Sequence, residues 1–131
     1  AYHKALLRRL RPGALPREIL AEAALEMRGV LESTAFSKPI YAEAARKALE
    51  FRGHLSHPVG MAVHDVGAYF DAPLQVGLVI SIDPMLWVPE ETLYIRVEDT
   101  IAVTETGCEV LTGDVPFEIA DVEALMRTAP A

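Results

Sequence analysis

The stretch Gly53-His-Leu-Ser-His-Pro-Val-Gly-Met-Ala-Val-His-Asp-Val-Gly67 divides the chain into two textures. Its glycines at 53, 60 and 67 exclude one regular helix, so it reads as a loop with an adjoining strand. Everything before it is helical in period. Ala5, Leu6, Leu7 and Leu10 recur at helical spacing over residues 2–10, and Pro12-Gly13 stops that run. Pro16 suits a first helical turn, and Ile19, Leu20, Ala23, Ala24, Met27 and Val30 carry an apolar stripe toward Ser33-Thr34, with Glu18, Glu22 and Glu26 on the other face. Residues 39–51 repeat the pattern. Everything after Gly67 is short, β-branched and punctuated: residues 76–82, 93–97, 101–104 and, beyond a turn at Thr106-Gly107, 108–111 read as strands. A short helix over 120–127 is expected to close the chain, with Pro130-Ala131 frayed. Helices segregated in sequence from antiparallel strands imply an α+β layer.

The wider composition agrees with one packed core. The chain has 131 residues, 51% of them hydrophobic and 24% charged, and a mean hydropathy of +0.21. That length favours a single domain, and the apolar content is too high for a disordered chain. Twelve Lys and Arg against nineteen Asp and Glu give a formal charge of −7, which argues against nucleic acid or an anionic membrane as the main partner. The clustered Arg8, Arg9 and Arg11 read as a solvated helix face rather than a phosphate site. A single cysteine, Cys108, allows neither an internal disulfide nor a CxxC metal site, and cytoplasm is the expected compartment. The longest apolar stretch, at 76–82, is far too short to span a bilayer.

Three of the four histidines, His54, His57 and His64, fall within the dividing stretch, while His3 is expected at the surface. Imidazole is the commonest neutral metal ligand and a general acid or base near neutral pH. Carboxylates follow at Asp83, in Ser-Ile-Asp-Pro, and at Glu98-Asp99. Asp83 and Glu98 each end an apolar strand, so both should emerge at the rim of a buried sheet, where an unpaired carboxylate is costly and a cation or an arginine compensates it. Arg96, two residues before Glu98, shares its strand face and is placed to orient it. One imidazole and two carboxylates suit a hydrolytic metal centre with a position open for water.

Residues 54–67, 81–84 and 95–112 together resemble the catalytic C-terminal part of Xaa-Pro aminopeptidases and prolidases, which are pita-bread metallopeptidases. Arg11-Pro-Gly-Ala-Leu and the helix after it resemble the Pro-Gly turn and helix of the same family, so the likeness covers nearly the whole chain. The resemblance implies a pita-bread fold, here about half of the domain, with N-terminal helices packed on a curved antiparallel sheet. It implies His57, Asp83 and Glu98 as metal ligands, His54 and His64 as substrate-binding and catalytic groups, Arg96 as a catalytic accessory and Trp87 as a substrate contact. Asp83 stands where the family usually has glutamate and would double as general base; Trp87 stands where tyrosine is usual. The family's site also uses two aspartates on earlier strands, and residues 1–56 contain no aspartate. The chain is therefore expected to be a C-terminal portion that lacks the first strands, inactive alone and able to hold at most one metal weakly.

The implied reaction is hydrolysis of Xaa-Pro peptides with two divalent ions, manganese, cobalt or zinc. The implied partners are a proline-containing peptide, the N-terminal remainder of the same protein and a further copy in a homo-oligomer such as a dimer. Two other readings stand beside it: a metal-free relative that only binds peptides or proteins, and creatinase-like hydrolysis of a non-peptide amide.

Overall fold

A computed structural model describes residues 1–67 and 69–128. Helix α1 (Tyr2–Leu7), α2 (Pro16–Ser33) and α3 (Pro39–Glu50) precede β1 (Val79–Ile82), β2 (Met85–Val88), β3 (Leu93–Arg96), β4 (Asp99–Val103) and β5 (Cys108–Val110), and α4 (Ile119–Thr128) follows. Proline opens α2 and α3, where its missing N–H costs nothing and its φ is already helical. The sequence expected α1 to reach Leu10. It stops at Leu7 because Arg9 and Leu10 bond three residues back, to Leu6 and Leu7, tightening the chain before Pro12-Gly13. Gly13 then takes φ +82°, a conformation that disfavours any side chain.

The strands depart from the expectation of one sheet. β1, β4 and β5 form a three-stranded antiparallel sheet in the order β1-β4-β5, and β2 pairs with β3 separately. The two ladders nevertheless share one register. Val79↔Ala102 through Ile82↔Asp99 and Met85↔Arg96 through Val88↔Leu93 are two stretches of a single hairpin. Continuing either ladder sets Asp83 opposite Glu98 and Pro84 opposite Val97. Pro84 has no N–H to give, and Val97 N–H reaches the Pro84 carbonyl only at 3.5 Å, so the pairing lapses there. The hairpin turns through a 3₁₀ turn, Pro89–Glu91, and a left-handed Thr92. The first strand begins at Val79 rather than 76, because Gly77 sits at φ +86° with its N–H on the Val103 carbonyl.

The core lies between α1, α2 and one face of the three-stranded sheet. Leu6, Leu10, Ile19, Leu20 and Ala23 meet Ile80, Ile82, Ile101 and Val103, with Leu55 and Leu74 closing the edges. Alternation along β4 sends Asp99, Ile101 and Val103 to this helix side. Each fully buried Ile or Leu contributes on the order of 1.5–3 kcal/mol. The arginines just after α1 turn to α2: Arg8 and Arg9 pair with Glu26, and Arg9 also lies 3.5 Å from Glu22. His3 is not at the surface. It is 4% exposed, pressed under Phe117 and against Asp99, because α1 lays that face on β4. The expected C-terminal helix runs Ile119–Thr128, one residue longer at each end than read from sequence, and Pro130-Ala131 lies outside the described residues. Among the described residues no helix is long and apolar enough to cross a membrane.

Candidate metal centre

The site forms at the lapse in the hairpin. Residues 57–59 run along the free edge of β1: Ser81 N–H bonds the His57 carbonyl at 2.9 Å, Val59 N–H bonds the Val79 carbonyl at 3.1 Å, and Pro58 bridges Ile80. His57, Asp83 and Glu98 therefore come from three neighbouring strand ends. Each offers one ligand atom, and these atoms lie within 4.8 Å of one another. The Nδ1 of His57 is 3.2 Å from the Pro58 carbonyl, which can only accept. Nδ1 thus carries the proton and Nε2 presents its lone pair to the carboxylates. That Nε2 is buried without a hydrogen-bond partner, 3.6 Å from Glu98 Oε1, the arrangement a cation would complete. One nitrogen and two carboxylate donors fit manganese, cobalt or zinc.

The carboxylates are held from outside. Asp83, 6% exposed, takes an ion pair from Arg96 at 2.9 Å, and the same guanidinium reaches Glu98 at 3.3 Å. Ser81 donates its hydroxyl to Glu98 at 2.6 Å. That hydrogen bond, working against partial burial and aided by Arg96, holds the Glu98 carboxyl below the usual glutamate range. Arg96 in turn donates to Tyr94 Oη at 3.0 Å, which fixes the fork.

His54, His57, His64, Asp83 and Arg96 all line one cleft of about 630 Å³, with Tyr69 on its wall. The His64 ring stands 4.2 Å from that of His57, centroid to centroid and tilted 60°, so the two imidazoles share one mouth. His54 is exposed and edge-on to Phe51 at 6.0 Å. Trp87 is separate. It is 61% exposed on β2 and lines an adjoining cavity of about 550 Å³, which His54, Asp83 and Met85 share with the cleft.

Three contributors escaped the sequence reading. Tyr69 both accepts from Ser56 N–H and donates to the Ser56 carbonyl, each at 3.0 Å, pinning the backbone next to His57. Ser81 lay inside a quoted motif without a role. Asp65, also inside one, receives N–H bonds from Val66, Ala62 and Met61 and so folds the loop that carries His64. The signal for Asp65 was Gly60, where a Cβ would stand 2.1 Å from Asp65 Oδ2.

Those amides, Val66 first, hold the Asp65 carboxyl below its ordinary value. A depressed folded-state value means that the loop's support is complete above the unfolded value of about 3.9 and is lost as pH falls through the folded one. Asp65→Ala is expected to remove it at any pH. Hydrogen exchange at Met61 and Val66 should quicken roughly tenfold, the scale of a lost charged acceptor; unchanged protection there would show the loop to be held by other means.

Comparison with known proteins agrees with this geometry. The profile of metallopeptidase family M24 matches residues 1–105. The Xaa-Pro aminopeptidase of Escherichia coli is 36% identical over 138 residues, spanning 94% of this chain and 31% of that protein. The mitochondrial intermediate cleaving peptidase 55 of Arabidopsis thaliana is 43% identical over 82 residues, 56% of this chain and 17% of the relative. Among solved structures, E. coli aminopeptidase P with the inhibitor Pro-Leu superposes with a TM-score of 0.73 at 34% identity, over 96% of this chain and 32% of that one. A zinc-substituted form of that enzyme with product gives 0.71 at 32% identity, over 99% and 33%. The α+β chain thus carries part of the pita-bread fold and spans under a third of the length of these relatives. With a profile matched over most of its length and a His/Asp/Glu cluster beside its cleft, the chain belongs to metallopeptidase family M24.

Proposed function

We propose that this chain is the C-terminal portion of the catalytic domain of a metal-dependent Xaa-Pro peptidase, which removes an N-terminal residue preceding proline or splits Xaa-Pro dipeptides. The observation that carries the reading is the meeting of His57, Asp83 and Glu98 with an unpartnered Nε2 among them, in a cleft flanked by His64. The relatives named Xaa-Pro aminopeptidase and the neighbour solved with Pro-Leu support the substrate class. In this reading the protein holds two divalent ions, manganese, cobalt or zinc. His57, Asp83 and Glu98 provide three of the ligands, and an aspartate pair on strands from the N-terminal remainder of the protein provides the rest. Residence in the cytoplasm, expected from the single cysteine, and assembly as a homo-oligomer, implied by the resemblance, belong to the same reading.

A divalent ion held by His57, Asp83 and Glu98 would supply Lewis acidity toward the scissile carbonyl and lower the pKa of water so that it yields a nucleophile near neutral pH. The residues do the rest. Arg96 engages one Asp83 oxygen and leaves the other to accept the attacking water's proton. His64 donates a ring N–H to the oxyanion as the carbonyl becomes tetrahedral, a task that needs a donor fixed in place before reaction. His54 lines the cleft opposite and contacts the peptide, whose further residues extend toward Trp87.

The test is hydrolysis of Xaa-Pro peptides by the full protein loaded with manganese, cobalt or zinc, with His64→Ala beside it. The variant should keep its metal and lose about two orders of magnitude or more in turnover. Loaded protein that leaves every Xaa-Pro peptide intact would overturn the reading, and metal loss from the His64 variant would move that residue into the ligand set. One observation favours a second reading, a metal-free binding module: Arg96 already compensates both carboxylates. It predicts no uptake of any of the three metals.

A further inference from the structure

We propose that Asp71 binds the α-ammonium group of the peptide and thereby lets the cleft recognise a free N-terminus. This deepens the reading of the chain as part of an Xaa-Pro peptidase and rests on it. A peptidase that cuts after the first residue meets a cation at that end, because an α-amino group titrates at roughly 7.7–8.0. The cleft also has a direction. It meets the adjoining cavity at His54, Asp83 and Met85, where the residues after proline leave toward Trp87. The N-terminal residue then lies toward the part of the cleft that the cavity does not share, where Pro58, His64, Tyr69 and Asp71 stand among the walls.

Charge singles out Asp71 in that part. Asp83 and Arg96 line the same cleft but already pair with each other at 2.9 Å. Asp71 is exposed, stands apart from the gathered ligands, and accepts no hydrogen bond and forms no ion pair among the described residues. Its carboxylate is therefore open to an incoming cation, and a carboxylate with an ammonium makes a charge-assisted pair. Its place is held from both sides. The Tyr69 carbonyl accepts the Ala72 N–H at 3.2 Å, closing a turn with Asp71 inside it. On one side of that turn the Tyr69 hydroxyl is bonded twice to Ser56, the neighbour of His57, each time at 3.0 Å. On the other, Leu74 is 1% exposed and donates its N–H to the Ala14 carbonyl at 2.9 Å. The carboxylate is thus carried on a segment anchored beside a metal-ligand position, as a binding group needs to be.

The experiment compares the peptide Ala-Pro-Ala with its des-amino analogue propionyl-Pro-Ala, using the full protein loaded with metal and Asp71→Asn beside it. Asp71→Asn should raise KM for Ala-Pro-Ala about tenfold, the scale of a lost charge-assisted hydrogen bond, with kcat and metal content near wild type. For the des-amino peptide, KM in the variant should stay within about twofold of wild type, because the group that Asp71 pairs with is already gone. Where that peptide binds without being cleaved, its inhibition constant takes the place of KM. Asp71→Glu keeps the charge and should recover most of the loss. Wild-type KM for Ala-Pro-Ala in Asp71→Asn would overturn the inference, as would an equal loss on both peptides or a loss of metal. Should the des-amino peptide bind too weakly to measure, Asp71→Glu decides: recovery upholds the pairing, and a loss equal to that of Asp71→Asn overturns it. A wild-type protein that cleaves no Xaa-Pro peptide would instead overturn the peptidase reading beneath it.

Discussion

Replacing His57 with alanine in the full protein is expected to empty the centre of metal and abolish hydrolysis together. His57 is the one nitrogen donor among the gathered ligands, and its lone pair is aimed by the Pro58 carbonyl on the other ring nitrogen. The His64 ring is close, but it rides on the exposed loop that Asp65 folds. Alanine therefore leaves this part of the site with two carboxylates that are already shared with Arg96. The loss should exceed the roughly 10- to 100-fold typical of an outer partner. Elemental analysis after dialysis checks it, and metal content equal to wild type would remove His57 from the ligand set.

The second large effect is expected from a substitution that looks restorative. Asp83→Glu installs the residue usual at this position in resembling enzymes, yet turnover should fall on the order of 10²-fold, the cost of about 1 Å of misplacement at a reacting centre. Asp83 is buried, follows directly on a paired strand and is followed by proline, so the backbone cannot retreat to accommodate another methylene. The longer side chain also breaks the 2.9 Å contact with Arg96, which is itself tied to Tyr94. Steady-state kinetics with metal content held equal measure the effect. Turnover at or above wild type would show that the pocket tolerates either length.

Much of this was legible in the chain itself, for identifiable reasons. Helix α2 falls at Pro16–Ser33 as read, because a proline start and an uninterrupted apolar stripe specify both its ends and its buried face. His57, Asp83 and Glu98, the set that the resemblance implied, have ligand atoms within 4.8 Å of one another. What stayed hidden depends on partners distant in sequence. Met85–Val88 was missed as a strand because four residues between two prolines carry no period, and only pairing with Leu93–Arg96 defines it. His3 looked solvent-facing because a single histidine between a tyrosine and a lysine has no local mark of burial; β4, about a hundred residues away, covers it. The residues 76–78 resembled the strand they precede until Gly77 turned them.

The lapsed hairpin has a consequence for how such a protein can diversify. The carboxylates are registered by the Val79–Ile82 and Asp99–Val103 ladder, whereas Trp87 and Tyr94 face each other across the outer arm, beyond the lapse. Apart from Tyr94 and Arg96, which hold the carboxylates, substitutions in that outer arm, or a change in the turn at its end, alter the walls that an incoming molecule meets without disturbing the inner ladder. Selectivity and reactivity are thereby carried on separable lengths of one hairpin. Evolution, or an engineer, can exchange the tip while the chemical end keeps its alignment.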